Sequence, residues 1–232
     1  MGNSPKTKIA FLIATSIMVL SCVSKNDKII AIDVLLTPSE AMQAQSLQLN
    51  TLINRNNPET IKLDENHIPH ITLLQCFIKE KDLPKVNQAV EGLFETFKND
   101  TIYTESLYYS RDTEESFAMI RHSRTESIVN LHKKTIDLVK PYIVKGGSQE
   151  SFVQNPNGSE ISEFTVDYVP DFVEKYSYEN FDPHISLGVA QRVLLDSLYE
   201  TVFKPIPFLP ASLAVYQLGD HGTAQKLLWT SE

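Results

Sequence analysis

Only two cysteines occur in the 232 residues, Cys22 and Cys76. With Cys22 assigned below to lipid attachment, Cys76 has no partner, so the fold is expected to stand without an internal disulfide even in an oxidising compartment. Cys76 alternates with Leu74 past a strand core and reads as a packing residue. A dense basic patch is also missing: 21 Lys and Arg stand against 29 Asp and Glu, a formal net charge of −8. Tight binding of long nucleic acid, which leaves a basic footprint, is therefore not expected; a small phosphorylated substrate needs only a few local cations. The chain has no P-loop, no dinucleotide fingerprint and no Gly-x-Ser-x-Gly, which removes three common phosphate-binding and hydrolytic plans. Its one long apolar run, Ile9 to Leu20, is broken by Thr15 and Ser16 and falls short of the roughly 20 residues that span a bilayer.

That run follows Lys6 and Lys8 and ends in Val19-Leu20-Ser21-Cys22, which resembles a bacterial lipobox, a signal whose cysteine is acylated and becomes the new N-terminus. Residues 1–21 are read as a lipoprotein-type signal peptide, Cys22 as the lipidation site, 22–28 as a tether and 29–232 as one bilobal domain. An ordinary secretory signal or an uncut anchor is the alternative. Met1 to Lys6 has Lys where an N-myristoylation signal requires Ser or Thr. The expected location is the cell envelope, with the protein exported and held to a membrane by lipid.

The most informative residues are a doubled word: Pro-His-Ile-Thr-Leu at Pro69–Leu73 and Pro-His-Ile-Ser-Leu at Pro183–Leu187. In an extended strand, side chains alternate faces, so His70 shares a face with Thr72 and His184 with Ser186, while the aliphatic residues point to a core. Proline starts each word with a fixed φ, where a missing N–H is tolerated. Two histidines, each beside a hydroxyl, suit acid–base chemistry on an oxyanion such as phosphate.

The pattern predicts strands over Ile29–Leu36, His70–Ile78, Ile102–Tyr109, Phe117–Arg121, His184–Ala190, Ser212–Leu218 and Gln225–Thr230. Helices are predicted from Ser39 to about Asn54 and over Asp82–Lys98, Thr125–Ile143, Val169–Tyr178 and Gln191–Phe203, with Gly146–Glu163 as a mobile loop. Each motif strand is followed by a helix and then a hairpin. The fold class is accordingly α+β: a bilobal, pseudo-twofold duplication of two mostly antiparallel sheets flanked by helices, with a central cleft.

The paired His-x-[Thr/Ser]-aliphatic words resemble the two-histidine phosphoesterase superfamily, in its bacterial 2′-5′ RNA ligase-like branch. Ala31–Leu36, His70–Gln75, Phe181–Gly188 and Val215–Gly219 carry the resemblance, which spans about residues 29–230. It implies a metal-independent cyclic phosphodiesterase or ligase-like phosphoesterase, with His70 and His184 as the acid–base pair and Thr72 and Ser186 on the phosphate oxygens. His184 would activate the attacking group and His70 protonate the leaving oxygen. No cofactor is implied. The expected partner is a small phosphodiester or nucleotide, with a short RNA end as a further option, and the chain is expected to be a monomer. The alternative is a non-catalytic, membrane-tethered phosphoester-binding lipoprotein; a third reading is a zinc hydrolase using His67 and His70. His122 and His132 are read as solvated, His221 as a turn residue, and Phe181 and Tyr178 as either core or base-stacking residues.

Overall fold

The computed structural model describes residues 28–231; the signal segment, Cys22 and most of the tether lie outside them. Strand β1 (Ile29–Thr37) is almost wholly buried, as expected of an apolar run at the centre of a sheet. Helix α1 (Glu40–Asn56), strand β2 (Ile71–Lys79) and helix α2 (Leu83–Val90) follow. The hairpin β3 (Thr104–Tyr108) and β4 (Glu115–His122) leads into helices α3 (Glu126–Val139) and α4 (Glu163–Lys175). Strand β5 (His184–Gln191), helix α5 (Arg192–Thr201) and the hairpin β6 (Ser212–Leu218) and β7 (Ala224–Thr230) complete the order.

The strands form two antiparallel sheets, β2-β1-β6-β7 and β3-β4-β5. The strand–helix–hairpin unit occurs twice in the sequence, and the two units exchange their hairpins. The β3–β4 hairpin, which follows the first motif strand, completes the sheet of the second; β6–β7, which follows the second, completes the sheet of the first. Helices are exchanged in the same way. Helix α1 packs on β5, and α3 and α4 pack on β2. A single large cluster of buried side chains runs through both sheets.

Both motif strands lie at an edge of their sheet, and the two edges approach each other. An edge strand leaves backbone groups without a ladder partner, and here polar side chains supply them. His132 Nδ1 of α3 donates to the Leu73 carbonyl at 2.7 Å, and Asn50 Nδ2 of α1 donates to the Leu187 carbonyl at 2.8 Å. Asn57 Nδ2 reaches the Val189 carbonyl, and the Val189 N–H donates to Thr60 Oγ1. Leu73 and Leu187 occupy the same place in the two words. Each is the extra residue of a bulge, since the register shifts between Val34 and Leu35 opposite the first and between Ala118 and Met119 opposite the second.

Several elements depart from the sequence reading. Helix α2 stops at Val90 and does not run to Lys98; the chain turns at Glu91-Gly92, and Phe94–Thr96 forms a separate short turn. Glycine disfavours helix interiors, and that outweighed the apolar stripe. Helix α4 begins at Glu163, six residues before the expected start, because the Ser162 hydroxyl accepts from the Thr165 N–H as its cap. The stretch 146–162 is pinned at several points: Phe152 and Ile161 are buried, Phe152 meets Phe77 edge-to-face, and the Val153 N–H donates to the Leu218 carbonyl.

His122 and His132 are corrections of a different kind, because both are buried rather than solvated. His132 stacks on Phe181 at 3.9 Å and accepts from the Tyr178 N–H through Nε2, so Phe181 and Tyr178 serve the core around this ring. His122 packs edge-to-face on Phe208 and lies 3.3 Å from Thr104 Oγ1. Burial pushes His132 down to about 4 and His122 to about 3, so both are neutral near pH 7.

Candidate active site

A cavity of about 890 Å³ opens where the two motif edges meet, and His70, Thr72, His184 and Ser186 all line it. The doubled word thus converges on one space. The proline of each word explains how its histidine is held. A residue before proline is confined to extended backbone, and in both words the carbonyl of that residue meets the imidazole. His70 Nδ1 donates to the Ile68 carbonyl at 2.8 Å, and His184 Nδ1 donates to the Asp182 carbonyl at 2.7 Å. A carbonyl only accepts, so each Nδ1 carries the proton. Each Nε2 is then the chemically variable atom, a base when the ring is neutral and an acid when it is charged.

The two rings differ in charge preference. For His70, burial lowers the pKa, but the Asp33 carboxylate and the Ile68 carbonyl more than offset this, and the net shift is upward. Asp33 Oδ2 lies 3.5 Å from His70 Nε2. For His184, burial lowers the pKa, and the positive charges of His70 and Arg121 add to it; the Asp182 carbonyl and carboxylate offset only part, and the net shift is downward. His70 therefore favours the imidazolium and His184 the neutral imidazole.

Asp33 was not assigned a role from the sequence. It sits at the centre of β1, fully buried, on the same face as Ala31 and Leu35. Its Oδ2 accepts from Thr72 Oγ1 at 2.7 Å and from Gln75 Nε2 at 2.9 Å. Thr72 and Gln75 are three apart yet reach one oxygen, because the bulge at Leu73 resets the alternation. A lone carboxylate in an otherwise apolar strand was the available signal, since a buried charge requires a partner. The Thr72 hydroxyl proton is thus committed to Asp33, whereas the Ser186 hydroxyl makes no hydrogen bond among the described residues.

Helix α4 supplies an aromatic wall. Phe164, Tyr168, Phe172 and Tyr176 are spaced by four and form one stripe, all lining the cavity. Tyr168 and Tyr176 stack at 4.4 Å, and Phe164 is 67% exposed at the stripe's outer end. Starting the helix at Val169 hid the first half of this stripe from the sequence reading. Asp220 Oδ1 accepts from Ser162 Oγ and Thr165 Oγ1 and so ties the start of α4 to the β6–β7 turn. His221 of that turn has a positive φ of 56° and lines the cavity as well.

His67 Nδ1 lies 3.1 Å from Asp64 Oδ1, while His70 is turned to Ile68 and Asp33. Among the described residues, no group of three or more His, Cys, Asp or Glu is placed to hold a metal. Nor is any helix among them long and apolar enough to cross a membrane. Cys76 is buried, and burial pushes its thiol up, away from nucleophilic use.

No protein-family model matches the chain, and neither does any curated protein. Solved structures of similar fold include TT0787 of Thermus thermophilus (14% identity, 87% of this chain and 97% of that one, TM-score 0.49). E. coli LigT in apo form has 9% identity over 88% of this chain and 97% of that one, with a TM-score of 0.47. Kluyveromyces marxianus Usb1 has 12% identity over 86% of this chain and 99% of that one, with a TM-score of 0.38. At these identities and scores the likeness carries no functional weight, and what the site does has to come from its own residues.

Proposed function

We propose that this protein is a phosphoesterase of the two-histidine type that opens, or in reverse closes, a cyclic or 2′-5′ phosphodiester without a metal. The observation that carries the reading is the pair of Nδ1–carbonyl bonds, which hold two histidines alike at one cavity, with His70 shifted toward the charged form by Asp33 and His184 toward the neutral form by burial. In the hydrolytic direction a water attacks phosphorus and gives its proton to His184 Nε2. The P–O bond opposite breaks, and the leaving oxygen takes the proton from His70 Nε2. The product is a phosphomonoester with a free hydroxyl, and one proton passed back through solvent restores the pair. Ser186 donates to a non-bridging oxygen; Thr72 does so if its hydroxyl turns from Asp33. Each proton transfer contributes about 10²–10⁴-fold in rate. In this reading the protein works outside the cytoplasm, lipid-anchored through Cys22.

The test uses the full chain in detergent with 2′,3′-cyclic nucleotides in excess EDTA. Turnover that is lost in both His70→Ala and His184→Ala is expected. Absence of turnover by the unaltered protein, or undiminished turnover in either variant, would end the proposal.

A further inference from the structure

The charges around the cavity limit what else a substrate can carry. Among the described residues lining it there is no lysine or arginine. The histidine and carboxylate side chains facing it are His70, His184, His221, Glu59 and Asp182, and Tyr168 and Tyr176 add two phenols. The positive charge that His70 favours is balanced by Asp33 behind it, and Asp182 is matched by Arg121 Nη2 at 2.8 Å. Glu59 is exposed and has no partner among the described residues. One phosphodiester monoanion can be held by the histidine pair and Ser186, but no lysine or arginine among the described lining residues waits for a second anionic group, and His221 already faces Asp220 at 3.9 Å. The lining also carries the aromatic stripe Phe164, Tyr168, Phe172 and Tyr176 together with Phe117 and Met119 of β4, so much of the remaining surface is apolar or aromatic. The volume of about 890 Å³ lies toward the upper end of the roughly 300–1,000 Å³ usual for ligand sites, so a sizeable arm fits beside the phosphorus.

We propose that the site selects phosphodiesters with a single negative charge and one flat, uncharged arm, and that it discriminates against those bearing a second phosphate. The inference rests on the phosphoesterase reading and narrows it: a 5′-phosphorylated RNA end is a poor substrate, and a nucleoside cyclic phosphate with a free 5′-hydroxyl is a good one. The discrimination is electrostatic, so it weakens as salt is added.

Three compounds test it with the full chain in detergent: adenosine 2′,3′-cyclic phosphate, the same molecule with a 5′-phosphate, and glycerol 1,2-cyclic phosphate, which has no arm. The free 5′-hydroxyl compound is expected to exceed each of the others in kcat/KM by on the order of tenfold. Glu59→Lys, an exposed change outside the proton-transfer pair, is expected to raise the 5′-phosphorylated compound selectively and narrow that gap. Equal or better turnover of the 5′-phosphorylated compound would overturn the charge claim, and equal turnover of the glycerol compound would overturn the arm. Calorimetric binding to His184→Ala reads the same order of preference without chemistry. Absence of turnover by the unaltered protein would therefore end the phosphoesterase reading, while the binding order still decides the selectivity.

Discussion

Replacing Asp33 by Asn removes one charge and keeps the shape. In the unaltered protein the carboxylate lies 3.5 Å from His70 Nε2. At an effective dielectric of about 20, an ion pair at that distance is worth about 5 kcal/mol in attraction. Burial opposes it, at several kcal/mol for a charged group taken out of water. The balance favours the imidazolium in the presence of Asp33; with Asn the attraction is lost, burial is opposed only by the Ile68 carbonyl, and His70 shifts toward the neutral form. On the proposed mechanism the general acid is thereby depleted, and kcat/KM is expected to fall about 10²-fold, the lower end of what such a group contributes. The pH profile separates this from a structural defect. The proposed chemistry needs His184 neutral, so activity should rise with pH through the lowered pKa of that ring. It also needs His70 charged, so activity should fall with pH through the raised pKa of the other. Asp33→Asn should move the falling limb to lower pH, with any shift of the rising limb upward because the His70 charge that lowers His184 is weakened, and with the near-UV circular dichroism unchanged. A falling limb that does not move would refute the coupling of Asp33 to His70, whatever happens to the rate.

Two further predictions concern stability. The folded-state pKa values of His122 and His132 lie below the ordinary 6.5, at about 3 and about 4, so the unfolded chain binds more protons in that interval. Their contribution is fully present above pH 6.5 and is lost as the pH falls toward 4, each adding up to about 1.4 kcal/mol per pH unit to the slope; urea unfolding at a series of pH values should show a slope that flattens in His132→Gln. Gly188 follows the bulge of β5 with φ +111°, and an added Cβ would come within 2.6 Å of Thr60 Oγ1. Gly188→Ala should cost about 1–3 kcal/mol, read as a lowered thermal midpoint, and a midpoint equal to that of the unaltered protein would show that β5 relaxes freely there.

The doubled word was legible because it repeats at the level of local chemistry, and local chemistry sets how each histidine is held. Proline, the carbonyl before it and the imidazole lie within three residues, so no distant contact is needed to aim Nδ1. The role of Asp33 was less legible, since a strand pattern shows that a charge is buried and does not show which residue meets it; Thr72 and Gln75 come from β2 and His70 from the residue just before it. His132 sat on the buried stripe of Ile128, Leu131, Ile136 and Val139, and the stripe was a better guide than the lysines beside it. The hairpin exchange could not be read at all: either hairpin has the alternation to join either sheet, and the choice is made by packing between distant parts of the chain.

That exchange also governs how the molecule assembles. A single cut between residues 146 and 162 would leave His70 on one piece and His184 on the other, with neither sheet complete on either piece. During synthesis the first sheet waits for β6 and β7, the last strands to be made, so loop closure over most of the chain precedes its completion. Partial products therefore carry unpaired strand edges, and His70 and His184 come to line one cavity only when the whole chain has closed on itself.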